Sequence, residues 1–103
     1  MKNELGKHAG SLPTARTIRR ACGNELYRTV KRLKAYVPEA KVKEAEELYV
    51  RKVMMNLLWI HEHRSDRKKL ADWWDAEVAS GIAALWEVEQ DRLSRAFRDA
   101  FGG

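Results

Sequence analysis

Ten side chains between residues 14 and 34 carry the chemistry of nucleic-acid contact: Thr14, Arg16, Thr17, Arg19, Arg20, Asn24, Arg28, Lys31, Arg32 and Lys34. Guanidinium and ammonium groups donate to guanine O6 and N7, a side-chain amide pairs with adenine, and hydroxyls suit phosphate oxygens. Asn24, Arg28, Lys31 and Arg32 are the candidates for base edges, the other six for the phosphate backbone. Competing chemistries fail on spacing. His61 and His63 are two residues apart, so on a helix their imidazoles point about 200 degrees from each other and cannot share one ion. Glu44 and Glu47 lie too far back to complete a Glu-x-x-His ligand pair. Cys22, the sole cysteine, falls on an apolar stripe with no histidine nearby in sequence, as a packing residue does. No Gly-rich phosphate-cradling loop occurs. The chain is therefore expected to be no enzyme and to hold neither a metal nor a cofactor.

Positioning the ten residues takes helices. From Pro13, suited to a helix start, Ala15, Ile18 and Cys22 recur at spacings of three and four and define a buried stripe. Gly23 can adopt the left-handed conformation that ends a helix, and Asn24 follows as an N-cap. Leu26, Val30, Leu33 and Val37 then form a second stripe, which Pro38 stops. The expectation is a basic helix-turn-helix-like pair over residues 13–37. Its second helix would enter the major groove and its first would cross the phosphates.

The charge is distributed to match. Residues 1–43 hold eleven Lys and Arg against three acids, and residues 44–103 hold nine against twelve, so the overall +5 hides a basic head and an acidic body. In that body one helix is expected from Glu39 to about His63. Its stretch Val53 to Ile60 is apolar nearly all round and calls for burial within the chain or against another copy. Asn56 inside it needs hydrogen-bond partners, as a satisfied core amide or as a residue fixing the register of a dimer. Ser65 and Asp66 offer an N-cap for a last helical region carrying Leu70, Trp74, Val78, Ile82, Leu85, Leu93, Phe97 and Phe101. Gly81 leaves two options there: a break at Ser80 and Gly81, or one helix with a neighbour packed closely against it.

With 103 residues, 45% of them hydrophobic, the fold class expected is all-α: a single small domain, 1–103, of four to five helices. Residues 1–12 read as a flexible N-terminus, 13–37 as the basic pair and 39–103 as the helical body. The longest apolar run falls far short of the roughly 20 residues a membrane span requires, and no apolar export signal is present, so the expected location is the cytoplasm and no membrane is a partner. Trp59, Trp73, Trp74 and Trp86 all lie in the acidic body, where phosphate is repelled, and are expected in a core or at an interface with a second copy or a partner subunit.

The segment PTARTIRRACGNELYRTVKRL resembles the N-terminal DNA-binding segment of KfrA-type plasmid proteins through Pro13, Thr14, Arg16, Ile18, Arg19, Gly23, Tyr27, Thr29, Val30 and Arg32. The match is ungapped and covers about a quarter of the chain; Asn24 and Glu25 stand where the family usually has Gly and Ser, and Tyr36 where it has Trp. The resemblance implies sequence-directed binding of double-stranded DNA by a regulator or accessory protein of a mobile element. Two other functions fit the composition: a helical subunit of a larger nucleoprotein complex, like the small subunits of CRISPR effectors, binding nucleic acid without sequence preference; and a phage-type inhibitor acting through protein contact.

Overall fold

The computed structural model describes residues 12–103. The expectation of a flexible segment at 1–12 therefore lies, Leu12 apart, outside the described residues. Among the described residues the architecture is all-α, with six helices and no strand: α1 (Ala15–Leu33), α2 (Glu39–Met55), α3 (Leu57–Glu62), α4 (Arg67–Glu77), α5 (Ala79–Trp86) and α6 (Gln90–Phe101). That is one or two more helices than expected. Two of the expected helices are each interrupted, while the expected N-terminal pair is a single element.

The helix-turn-helix expectation is corrected at Gly23. α1 runs through it without a turn, because Ile18, Cys22, Leu26, Thr29 and Leu33 stay in phase as one buried stripe along the whole helix. Gly23 has no positive φ. Its missing side chain serves packing instead, since a Cβ there would lie 3.3 Å from Glu46 Oε1 of α2. Asn24 is accordingly a mid-helix residue, and the N-cap of α1 is Thr14, whose hydroxyl accepts from the Thr17 amide at 3.1 Å. At the other end the helix stops at Leu33, four residues before Val37. Lys34 turns left-handed at φ 56, and its amide bonds back to Val30 O at 3.2 Å. Pro38 serves as the N-cap of α2.

The helix expected from Glu39 to His63 is broken at Asn56. The side-chain amide of Asn56 donates to Lys52 O at 2.9 Å, and its own backbone amide bonds only three residues back, to Val53 O, which ends α2 and offsets α3. The last region is three helices. Asp66 caps α4 as expected, accepting from the Lys69 amide at 3.0 Å. The break between α4 and α5 falls at Val78, and Gly81 lies inside α5 with Leu48 pressed onto it: a Cβ would be 2.8 Å from Leu48 Cδ1.

α1 packs between α2 and α6, and α5 closes the far side of α2. The core is aromatic. Trp74 and Phe97, each 1% exposed, stack with centroids 3.8 Å apart, and Tyr49 meets both edge-on at 6.2 Å. Polar groups tie the helices together at their ends. Arg92 Nη2 donates to Leu33 O at 2.7 Å, satisfying a carbonyl at the end of α1, and Trp86 Nε1 donates to Lys41 O at 3.0 Å. Arg98 of α6 grips Asp72 and Asp75 of α4, both at 2.6 Å, and this pairing holds the Asp72 carboxyl below its ordinary range.

Candidate nucleic-acid interface

Because α1 buries one stripe, its opposite face is dictated by the 3.6-residue period. Arg16, Arg20, Asn24, Tyr27, Lys31 and Lys34, spaced 4, 4, 3, 4 and 3 residues apart, run along that face, and all six are exposed. The row spans about 27 Å at 1.5 Å per residue. Arg28 flanks it on one side and Arg19 on the other, both exposed. Most of the expected contact residues thus belong to a single helix rather than being divided between a reading helix and a supporting one, with Thr14 and Lys34 at its caps and Arg32 turned toward α6. Asn24 sits at mid-row, away from any helix N-terminus, so it cannot present its amide in the way expected of a capping residue.

Electrostatics favour an anion along this row. Between Thr14 and Lys34 the only acid is Glu25, and it points inward, accepting a hydrogen bond from the Tyr49 hydroxyl. Burial raises the Glu25 pKa above its ordinary value, with the Tyr49 bond and Arg67 and Arg28 pulling the other way. The carboxylate nearest the row is therefore turned away from it. Arg28 makes no ion pair among the described residues. Arg32 is engaged, with Nε 2.9 Å from Asp99 Oδ2, but both side chains are open to water (41% and 73%), where such a pair is worth about 0–1 kcal/mol. A phosphate can displace that partner at small cost. The hydroxyls of Thr14 and Thr17 are committed to each other and to the helix cap at 3.0 and 3.1 Å.

No family model matches the chain, and neither does any curated protein or solved structure.

Tyr27, named in the sequence only as a position of the family resemblance, was not among the expected contact residues. It is 60% exposed at the centre of the row, with Lys31 Nζ 4.7 Å from its ring centroid. Its place on the polar face of the α1 period was the available signal. The tryptophans fall mainly in the core: Trp74 and Trp86 are buried, Trp73 is half-buried, and Trp59 is 37% exposed. The apolar surface lies instead on the run expected to be buried all round, where Met54, Met55 and Leu58 are 45%, 70% and 68% exposed beside Trp59. Only Val53 of that run is buried, with Leu57 and Ile60 packed partly against the core, because the kink at Asn56 turns the remaining side chains outward. His63 Nδ1 lies 2.7 Å from Trp59 O, and no cluster of three metal-ligating side chains occurs among the described residues. Cys22 is 4% exposed, and its thiol pKa is raised by burial and by Glu25 and Glu46. Among the described residues, no helix is long and apolar enough to cross a membrane.

Proposed function

We propose that this chain is a cytoplasmic DNA-binding protein, a regulator or accessory protein of a mobile element, that lays the exposed face of α1 against duplex DNA. The observation that carries the reading is the exposed row in which Arg16 and Arg20 at one end and Lys31 and Lys34 at the other flank Asn24 and Tyr27, with the one acid of the segment turned inward. An α-helix fits the major groove, and in that position Arg19 and Arg28 flank the row toward the two phosphate strands while Asn24 and Lys31 face base edges. Most of the affinity comes from phosphates and so depends steeply on salt. The apolar patch at Met54, Met55, Leu58 and Trp59 supports a second element of the reading, contact with another copy or a partner subunit away from the DNA.

The test is fluorescence anisotropy of the full chain on labelled duplex DNA, single-stranded DNA and RNA across a salt series. Duplex should bind most tightly. Arg20→Ala should weaken binding and reduce the salt slope by about one, and Lys31→Ala should weaken binding with relaxed base preference. Affinity unchanged by both substitutions, or equal for a polyanion such as heparin, would reject the proposal.

A further inference from the structure

Behind α1 lies a cavity of about 410 Å³ bounded by α1, α2, α3, α4 and α6. That volume is within the range of about 300–1,000 Å³ typical of small-molecule sites, and like them it is mostly apolar with a few convergent polar groups. Ile18, Val53, Leu57, Ile60 and Leu70 supply apolar wall, and the hydrogen-bonded side chains of Glu25 and Tyr49 lie within it. Trp73, another lining residue, has a buried indole N–H with no hydrogen-bond partner.

Charge selects among ligands. Arg64 and Arg67 line the cavity and are exposed, which places them at its opening. Arg98, by contrast, holds two carboxylates. Arg64 and Arg67 hold none among the described residues. Arg64 Nη1 donates to the backbone oxygen of His61 at 2.6 Å, and the Arg67 guanidinium lies over the Phe101 ring at 4.2 Å. Each keeps donors in reserve, and a guanidinium fork matches a carboxylate in two parallel hydrogen bonds. Glu25, inside, disfavours a second anion at depth, so an anionic head belongs at the opening and an apolar body within.

The geometry points to this cavity as a binding site for an amphipathic organic anion, its apolar body between α1 and α4 and its carboxylate on Arg64 and Arg67. This inference is tested separately from the nucleic-acid reading, since none of the six residues of the row lines the cavity; of the ten expected contact residues Thr17 alone does.

Calorimetric titration of the full chain with octanoate, octan-1-ol and octyltrimethylammonium, all below micellar concentrations, tests it. Octanoate should bind, and the alcohol and the cation should bind at least roughly tenfold more weakly, as expected for loss of a charge-assisted contact. Combined Arg64→Gln and Arg67→Gln should weaken octanoate roughly tenfold and leave octan-1-ol unchanged. Leu70→Trp, which fills the cavity, should abolish binding of all three. Should that variant fail to fold, the arginine variants decide the matter, because they alter only exposed side chains. No octanoate binding, equal binding of acid and alcohol, tightest binding of the cation, or indifference to the arginine substitutions would each overturn the inference.

Discussion

Replacing Gly23 by alanine should stabilise the protein by about 0.5–1 kcal/mol. In the interior of α1 the glycine costs about 1 kcal/mol of helix propensity relative to alanine, mostly through backbone entropy. Against this gain stands a single contact: the added methyl would sit 3.3 Å from Glu46 Oε1 and 3.5 Å from its carboxyl carbon. Both atoms are at the end of a flexible, half-buried side chain that can rotate by a few tenths of an ångström, so the offset is small. Urea denaturation followed by far-UV circular dichroism measures the change, and the melting temperature should rise by about 2–8 °C for a domain of this size. The opposite sign would refute the continuous helix. If residue 23 occupied a left-handed turn, alanine would cost about 1–2 kcal/mol. A loss of that size would restore the two-helix reading.

Gly81→Ala should stabilise less than Gly23→Ala in the same assay, because its Cβ would meet Leu48 Cδ1 at 2.8 Å and the shift this forces on the leucine offsets part or all of the helix-propensity gain of about 1 kcal/mol. Glu25 has its pKa raised in the folded state, so its contribution to stability is complete below the ordinary glutamate range and is lost as pH rises through the raised value. Glu25→Gln should therefore flatten the fall in urea midpoint above about pH 4.5, and parallel wild-type and variant curves would show that Glu25 is not buried. Arg98→Ala should cost about 1 kcal/mol at pH 7, chiefly through the half-buried arm to Asp75. Because Asp72 is held below its ordinary value, that penalty should shrink as pH falls through the lowered value, and a penalty constant down to about pH 2 would contradict the pairing.

The all-α class was legible because the apolar residues repeat at helical spacing from Ile18 to Phe101 and no strand alternation competes. The cap at Asp66 and most of the buried stripes of α1, α4 and α6 were readable for the same reason, each being a local pattern, although Ala15, expected in the first stripe, is exposed. The turn at Gly23 was misread because glycine followed by asparagine is a strong local stop signal, whereas what retains the helix is one stripe from Ile18 to Leu33 buried against α2 and α6, elements from other parts of the chain. Asn56 and Val78 pose the same difficulty in reverse. Neither is a glycine or a proline, and the interruptions follow from a side-chain bond to Lys52 O and from the packing of α5 against α2. Of the interface, the cationic residues were legible by type, and their alignment into one row became so once α1 was continuous. The cavity was not legible at all, since five helices contribute its walls.

Cys22 gives the molecule a built-in stopwatch. Only the thiolate reacts with alkylating reagents, and here the thiol is 4% exposed with its ionisation suppressed by burial and by two neighbouring carboxylates. It is silent while α1 lies on α2 and becomes nucleophilic only when the two separate. The native-state rate of its modification by iodoacetamide, divided by the rate for the unfolded chain, therefore gives the equilibrium constant of the opening that exposes residue 22. A fluorophore can meanwhile be placed on an exposed cysteine introduced elsewhere without first removing the native one.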